Sequence, residues 1–328
     1  MNIYDVIVVG GGHAGCEAAH ASARLGCKTP LITMKIDGIG QMSCNPAIGG
    51  IGKSHLAREV DALDGLMCKA ADDASLQSRV LNSSKGAAVR ATRIQTCRDE
   101  YKKAMQKDIL NHENLTVLQS TVKSVKFSKN RAEGVVIETG DYIKSKCVVL
   151  TAGTFLEGVI HMAEKTFSPG RAGDRASIEL EKYFKDSGFK IERLKTGTPP
   201  RIKTESINFD RLQKQDSDHP LPMLSYLNDH YGFSPSHIEK IPGFITHTNL
   251  HTHEISEASK DKSPLFNGKI KSVGPRYCPS IEDKVHRFPN RDSHVLFLEP
   301  EWKNSDQIYL NGFSTSLPCL LYTSDAAD

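Results

Sequence analysis

The first fifteen residues constrain the fold more than any other part of the chain. An apolar run, Val6–Val9, leads directly into Gly10, Gly12 and Gly15, which have the G-x-G-x-x-G spacing, and an alanine-rich segment that reads as a helix follows at 17–25. In such a turn one glycine permits the tight bend, the second permits close approach of a pyrophosphate, and the third permits packing of helix on strand. Because the flanking strand and helix that the motif requires are both present, the sequence predicts a dinucleotide site.

Composition and charge exclude several classes of function. The chain has 328 residues, 25% of them charged, and a formal net charge of +3, so any polyanion would have to bind a local patch. No apolar run approaches the ~18 residues of a membrane span. The first strand begins almost at Met1 and leaves no room for a signal peptide, so we expect a cytoplasmic protein.

No pattern of metal ligands is evident. The eight cysteines are scattered without a C-x-x-C pair, and they are the kind that a reducing compartment keeps as buried hydrophobes or reactive thiols. His247, His251 and His253 do not have the spacing of a zinc site. We therefore predict no metal.

The second strand of the nucleotide fold is predicted at 28–34, and it has two unusual features. Pro30 lies within it, where it removes a hydrogen-bond donor unless it stands near the start of the strand. The acidic residue that usually binds the ribose is missing, because Met34 and Lys35 occupy its place and Asp37 is the nearest carboxylate. How the ribose would be held is therefore left open.

A glycine-rich segment surrounds Cys44. The stretch 47–54 resembles a phosphate-binding P-loop, but no buried apolar strand precedes it, so we interpret it as a turn before a helix at about 54–63. Cys44 then lies near a helix N-terminus and Lys53, a setting that favours a thiolate. A packed core cysteine explains the same local features equally well.

The segment 79–107 is strongly basic. Because Ile94, Cys97, Tyr101 and Met105 recur at helical spacing, we predict one helix with a packed face and a charged face. The charged face is either simply solvated or contacts a phosphate backbone. Its eight basic residues, set against Asp99 and Glu100 alone, are Arg79, Lys85, Arg90, Arg93, Arg98, Lys102, Lys103 and Lys107.

Further strands and one helix are predicted beyond residue 110. Apolar patterns predict strands at 115–125, 132–139 and 142–150, the middle ones forming a hairpin or meander, and the small residues of 151–154 form a turn typical of a second dinucleotide contact. A helix is predicted at 174–189. Residues 202–300, rich in proline and histidine, read as an inserted domain.

A second dense stretch, Gly274–Phe288, surrounds Cys278. The cysteine lies between Tyr277 and Pro279, with Arg276 before it and both acidic and basic residues after it. A nucleophile would use such a stiff, electropositive setting, and a buried cysteine in a surface turn is the alternative.

Four motifs together carry a family resemblance. They are V-G-G-G-H-A-G-C-E-A at 9–18, G-Q-M-S-C-N-P-A-I-G-G-I-G-K at 40–53, R-L-K-T-G-T-P-P-R at 193–201 and G-P-R-Y-C-P-S-I-E-D-K at 274–284. From Tyr4 to about Pro318 the chain resembles the MnmG (GidA) family of tRNA uridine 5-carboxymethylaminomethyl modification enzymes.

The resemblance implies specific cofactors and partners. It implies FAD, NADH and methylenetetrahydrofolate as co-substrate, tRNA as substrate, an MnmE-type GTPase as partner, and a homodimer. It places the catalytic thiols at Cys44 and Cys278. It places FAD on Gly10, Gly11, Gly12, His13, Ala14 and Gly15, with further contacts near Val122 and Ser177. It places NADH near Gly274, Pro275, Arg276, Tyr277, Cys278, Pro279, Ser280, Ile281, Glu282, Asp283, Lys284, Val285, His286, Arg287 and Phe288.

The resemblance also implies the domain plan. We expect the α/β class, with a Rossmann-like FAD-binding domain of the glutathione-reductase type at 1–200 and an inserted, smaller NADH and substrate domain at 201–300. The FAD-binding domain resumes at 301–318, 319–328 reads as a non-native tail, and the family's helical C-terminal domain is absent. Two rival functions stay open: a folate- and FAD-dependent tRNA uracil methyltransferase of the TrmFO type, and an inactive nucleotide- or tRNA-binding fragment.

Overall fold

A computed structural model describes residues 3–162, 165–167, 177–195, 197–233, 238–270 and 279–318. The strands in these ranges are β1 (Tyr4–Val9), β2 (Thr29–Thr33), β3 (Ala47–Gly49), β4 (Ser75–Leu81), β5 (Ala91–Thr96), β6 (Leu115–Gln119), β7 (Val122–Ser128), β8 (Arg131–Ile137), β9 (Tyr142–Leu150), β10 (Ile160–Met162), β11 (Lys165–Phe167), β12 (Arg201–Lys203), β13 (Gln213–Gln215), β14 (Gly243–His247), β15 (Val295–Pro300) and β16 (Gln307–Asn311). The helices are α1 (His13–Arg24), α2 (Lys53–Ala62), α3 (Met67–Asp73), α4 (Arg98–Asn111), α5 (Ile178–Asp186), α6 (Tyr226–His230), α7 (Leu250–Ala258) and α8 (Ile281–Arg287).

The first sheet is the nucleotide fold that the opening segment predicts. Its strand order is β6-β2-β1-β9-β8-β7, and the first four strands are parallel to one another. Strands in such a sheet are covered on both faces, which explains why β1 ends in three buried residues and β2 is buried throughout. Pro30 is the second residue of β2, so the lost donor lies near the start of the strand. The α/β, Rossmann-like prediction is confirmed.

The predicted meander is also confirmed. β7, β8 and β9 pair antiparallel in sequence order, and β9 continues into the parallel part of the sheet. Apolar residues of β1, β2, β7 and β8 form one buried cluster that Leu180 of α5 covers. The meander therefore adds a second layer of apolar packing beneath the strands that end at the glycine turn.

The prediction of a single helix within 79–107 is wrong for its first half. That part forms β4 and β5, which with β3 make a three-stranded antiparallel sheet, and α4 begins only at Arg98. Thr92, Ile94 and Thr96 are β-branched residues at alternate positions, a period of two that favours a strand over a helix. Tyr101 and Met105 are fully buried on α4, as the helical spacing predicts.

The second sheet is antiparallel, in the order β12-β16-β15-β14-β13. Its apolar side buries Leu296, Leu298, Ile308 and Leu310. Residues 301–318, predicted to return to the FAD-binding domain, contribute β16 to this sheet because β16 pairs with both β12 and β15. The predicted domain boundaries otherwise remain a prediction.

Buried carboxylates connect the helices. Glu17 of α1 accepts hydrogen bonds from the backbone N–H groups of Leu66 and Met67 at the start of α3, at 3.0 and 2.6 Å. Asp72 of α3 accepts hydrogen bonds from the N–H groups of Leu224 and Ser225 at 2.7 and 2.9 Å, just before α6. Free N–H groups at helix starts favour such anionic caps. Within the described ranges, no helix combines the length and apolar character needed to cross a bilayer.

Candidate functional site

The glycine turn between β1 and α1 is packed so tightly that two of its positions admit no side chain. A Cβ on Gly15 would lie 1.7 Å from the carbonyl oxygen of Gly10, and a Cβ on Gly10 would lie 2.4 Å from the carbonyl oxygen of Thr151. Gly10 also has a φ of +109°, a conformation that L-residues rarely adopt. A Cβ on Gly12, in contrast, would meet no protein atom within 4 Å. The turn therefore has a packed side and an open side.

The open side has the features of an anion site. Gly12 precedes α1 without capping it through a side chain, and the first turn of α1 carries no acidic residue. The N–H groups of a first helical turn have no acceptor within the helix and point outward with positive partial charge. His13 adds a buried Nε2 atom that has no partner among the described residues. Burial lowers the pKa of His13, so its ring is neutral at pH 7 and can donate or accept one hydrogen bond.

The turn that follows β9 lies directly beside the glycine turn. The Thr151 hydroxyl donates to the carbonyl oxygens of Val9 and Gly10, at 2.8 and 3.1 Å, and the Thr151 N–H donates to Val9. Sequence analysis predicted a second dinucleotide contact in this turn, and its position next to Gly10 agrees with that prediction.

The two further predicted FAD contacts fall near the same edge of the sheet. Val122 is buried at the start of β7, in the apolar cluster that also contains Ile7 and Val9 of β1. Ser177 is the buried residue before α5, which packs on β7 through Leu180. Contact of either residue with a cofactor remains a prediction.

Asp37, the nearest carboxylate to the end of β2, is engaged elsewhere. It lies in a short 3-10 helix, its side chain is 88% exposed, and it forms an ion pair with Lys102 at 2.9 Å. Asp37 thus faces solvent and α4, which leaves the ribose without an acidic partner at the usual position.

Cys44 and the glycine turn share one cavity. The cavity has a volume of about 250 Å³, and its wall includes His13 from the start of α1, Cys44 with its neighbours, Lys53 of α2 and Met67 of α3. Cys44 is exposed there and not packed in the core, which decides between the two interpretations of its local sequence. A reactive thiol therefore lies within the same pocket as the proposed anion site.

The loop that carries Cys44 is fixed by contacts from distant segments. Arg98, at the start of α4, donates to the carbonyl oxygens of Met42 and Cys44 and forms an ion pair with Glu301 at 2.6 Å. The Cys44 sulfur lies 3.8 Å from the hydroxyl of Tyr309 on β16. The second sheet therefore forms one side of the surroundings of this thiol.

The glycine-rich segment after Cys44 is not a P-loop, as predicted. The strand before it, β3, is a three-residue edge strand of an antiparallel sheet. The Ser54 hydroxyl is buried, donates to the carbonyl oxygens of Gly50 and Thr92, and accepts from the Gly50 N–H at 2.8 Å. It is thus not available to a metal–phosphate complex.

The predicted NADH segment is described only from Pro279 onward. Gly274, Pro275, Arg276, Tyr277 and Cys278 lie outside the described residues. Ser280 caps α8 by accepting from the Asp283 N–H, and Ile281, Glu282 and Val285 are buried.

The side chains of α8 mainly contact the protein itself. Glu282 accepts from the N–H and the hydroxyl of Ser316, at 2.9 and 2.8 Å, and Lys284 donates to the carbonyl oxygen of Gly312 at 2.6 Å. Asp283 forms an ion pair with Arg287 at 2.9 Å. His286 lies 2.8 Å from the Lys260 ammonium, and Phe288 is exposed. A role of this segment in binding NADH remains a prediction.

Comparison with known proteins identifies the family. Residues 5–321 match the family model described as glucose inhibited division protein A, GidA. The chain belongs to the GidA family. Two crystal forms of GidA from Aquifex aeolicus are similar to it, at 42% and 43% identity with TM-scores of 0.88 and 0.90. They cover 97% and 98% of this chain and 51% and 54% of the A. aeolicus chain, so it spans about half the length of these solved GidA structures.

The basic segment of this GidA-family chain mostly pairs with acidic residues of the same chain. Arg79 pairs with Asp218, Arg93 with Glu299, Arg98 with Glu301, Lys102 with Asp37 and Lys103 with Glu100. Three of the eight basic residues form no ion pair with any described residue: Lys85, Arg90 and Lys107. A phosphate-binding surface would therefore be smaller than the sequence predicts.

Sequence reasoning missed Tyr309, Glu301 and the role of Arg98. The first two lie more than 200 residues from Cys44 along the chain, in a region without a sequence motif. Arg98 belongs to the basic segment, but nothing in that segment distinguishes it from its neighbours. The described residues include no group of three or more histidine, cysteine or acidic side chains that could hold a metal ion.

Proposed function

We propose that this chain is the cofactor- and thiol-bearing part of an FAD- and NADH-dependent tRNA-modifying enzyme. The reaction would add a (carboxymethyl)aminomethyl group at carbon 5 of the wobble uridine, with methylenetetrahydrofolate as co-substrate and an MnmE-type GTPase as partner. The observation that carries the proposal is the single cavity that joins the anion site of the glycine turn to the exposed thiol of Cys44. Membership of the GidA family supports the same function.

The residues at the glycine turn fit the diphosphate of FAD. Gly12 leaves the space before the helix open, and the N-terminus of α1 supplies positive partial charge without an acidic side chain to oppose it. The buried and otherwise unpartnered Nε2 of His13 offers one further hydrogen bond. Gly10, Gly11, Ala14 and Gly15 would complete the binding turn, with Val122 and Ser177 at its edge.

The chemistry divides between cofactor and protein. Bound flavin, reduced by NADH, would supply reducing equivalents that no side chain provides. Carbon 5 of a uracil is a poor nucleophile until another group adds at carbon 6, and a thiolate is suited to that addition. In that step the sulfur forms a bond to carbon 6, the electrons of the C5–C6 double bond move toward O4, and carbon 5 gains nucleophilic character.

Reversal of the addition restores the base. After carbon 5 has formed its new bond, it loses its proton to a base, the C5–C6 double bond re-forms, and the thiolate leaves carbon 6. Cys44 and Cys278 are the two proposed thiols. One would add to the base, and the other would carry a proton or serve as its redox partner.

The cellular setting is part of the proposal. A tRNA substrate, a homodimer and a cytoplasmic location follow the family resemblance. Lys85, Arg90 and Lys107, together with Lys195, are the candidate phosphate contacts. Arg201, which sequence analysis would have added, is engaged with Glu301 at 3.2 Å.

Two experiments test the proposal. The purified protein should turn yellow with FAD and lose that colour with NADH; a well-folded protein that stays colourless would refute it. An anticodon stem-loop with 5-fluorouridine at the wobble position should then form a covalent adduct with the wild type. The adduct should disappear in either Cys44→Ser or Cys278→Ser and persist in the other variant, which assigns the attacking thiol.

The same adduct experiment has two informative failures. If folded, flavin-bound protein forms no adduct, the thiol mechanism is wrong. If product tRNA gains only the mass of a methyl group, the chain is a methyltransferase of the TrmFO type.

A further inference from the structure

Tyr309 is a buried tyrosine whose hydroxyl faces Cys44. The side chain is 2% exposed, and its oxygen lies 3.8 Å from the Cys44 sulfur. Among the residues that the structure describes, the sulfur is the only hydrogen-bond partner of this hydroxyl. A buried hydroxyl without a partner destabilises a protein, so the contact has an energetic reason to persist.

A ring of contacts fixes the tyrosine relative to the cysteine. Arg201 lies opposite Tyr309 in the β12–β16 pair, and its guanidinium stacks over the tyrosine ring at 4.9 Å from the centroid. The same guanidinium contacts Glu301 at 3.2 Å, and Glu301 pairs with Arg98. Arg98 in turn holds the carbonyl oxygen of Cys44. The thiol is therefore fixed through its backbone by Arg98 and contacted at its sulfur by Tyr309.

We propose that Tyr309 is a positioning residue for Cys44, whose hydroxyl donates a hydrogen bond to the thiolate, stabilises that form and fixes the direction of the sulfur. The inference rests on the proposed role of Cys44 as a reactive thiol.

The direction of this hydrogen bond follows from protonation. A thiolate has no proton to donate, so the hydroxyl must be the donor when Cys44 is ionised. Burial raises the pKa of Tyr309, and the nearby Cys44 raises it further. The tyrosine therefore keeps its proton throughout the pH range in which a cysteine ionises.

Other charged groups around Cys44 would remain in place in a Tyr309 variant. They come from each element that borders the thiol, and they are His13 of α1, Lys53 of α2, Arg98 of α4, Arg201 of β12, Glu299 of β15 and Glu301 after β15. A change confined to the tyrosine hydroxyl thus isolates one contribution to the ionisation of the thiol.

The test is the pH dependence of Cys44 alkylation by iodoacetamide, followed at the Cys44 peptide by mass spectrometry. Because only the thiolate reacts, the rate reports ionisation. Tyr309→Phe keeps the ring beneath Arg201 and removes the donor, so the midpoint should rise by about 0.5–1 pH unit. Exposed Cys147 on β9 is an internal reference, and its midpoint should not move.

A matched control is Tyr142→Phe. Tyr142 donates its hydroxyl to the carbonyl oxygen of Glu133 at 3.0 Å, within the meander. This variant should leave the Cys44 midpoint unchanged. An unchanged midpoint in folded Tyr309→Phe, or an equal shift in Tyr142→Phe, would overturn the proposal.

A second measurement covers the case in which Tyr309→Phe does not fold. Global incorporation of 3-fluorotyrosine keeps the shape of the side chain and makes the hydroxyl a stronger donor, so the Cys44 midpoint should fall; no change would overturn the proposal. Alkylation needs neither flavin nor tRNA. A shift in Cys44 ionisation without flavin binding would therefore count against the proposed function alone, and the reverse result would count against Tyr309 alone.

Discussion

Two alanine substitutions in the glycine turn should separate the fold from the cofactor site. Gly12 has φ −74° and ψ −174°, which alanine adopts without strain, and its added methyl group would meet no protein atom within 4 Å. Gly12→Ala should therefore change the free energy of unfolding of the cofactor-free protein by less than about 0.5 kcal/mol. The same methyl group would project into the space before α1, where the proposed diphosphate lies.

Gly15→Ala should have the opposite effect. Its methyl carbon would lie 1.7 Å from the Gly10 carbonyl oxygen and 2.8 Å from the Thr151 hydroxyl oxygen. Backbone atoms cannot move aside alone, so the β1–α1 packing must shift. We expect a loss of at least about 1–3 kcal/mol in unfolding free energy, the range for overpacked cores.

Urea unfolding followed by circular dichroism, without FAD, measures the first quantity. Titration of FAD, followed by the change in flavin fluorescence, measures the second. Gly12→Ala should lower FAD affinity at least about tenfold, or about 1.4 kcal/mol, with wild-type stability. If Gly12→Ala binds FAD as tightly as the wild type, the diphosphate does not lie against this turn. If it unfolds as readily as Gly15→Ala, the open side of the turn has been wrongly located.

Three further predictions concern the surroundings of the site. Arg98→Met should cost about 3–5 kcal/mol in urea unfolding, because it leaves the buried Glu301 carboxylate without its closest cation, whereas Lys102→Met, whose partner is exposed, should cost less than about 1 kcal/mol; equal costs would contradict the assignment. Burial raises the pKa of Asp72 from 3.8 to about 6, so its contribution to stability is present below pH 4 and is lost as pH rises through 6, by about 3 kcal/mol, and Asp72→Asn should remove that part of the pH dependence; an unchanged profile would contradict it. Charge reversal of the basic residues that form no ion pair with described residues should weaken tRNA binding and flatten its salt dependence, by about 0.7–0.9 for each phosphate no longer bound, and an unchanged salt slope would reject this surface. These residues are Lys85, Arg90 and Lys107.

Local patterns predicted the first sheet well. The apolar run before Gly10, the strand at 29–33 and the meander at 122–150 are each written in short stretches whose periodicity is visible without tertiary contacts. The glycine turn was equally predictable, because its φ angles and close packing require glycine at fixed spacing. The helix predicted across 79–97 failed because Ile94 and Cys97 match a helical period by coincidence while their β-branched neighbours pair in a hairpin.

The surroundings of Cys44 could not be predicted in the same way. Tyr309 and Glu301 reach the thiol only because β15 and β16 pair and bring the end of the described chain against α4 and the Cys44 loop. Such pairings between distant segments leave no local periodicity to detect. Arg98 and Arg93 read as surface charge in the sequence, yet both are committed to acidic partners of the second sheet.

The central claim is that the cofactor on the glycine turn and the thiol of Cys44 occupy one cavity. Protection of Cys44 from iodoacetamide by FAD tests it most directly, with Cys147 as the exposed reference thiol in the same sample. Saturating FAD should slow alkylation of Cys44 several-fold and leave Cys147 unchanged. Equal alkylation of Cys44 with and without FAD, in protein shown to bind the flavin, would contradict the account.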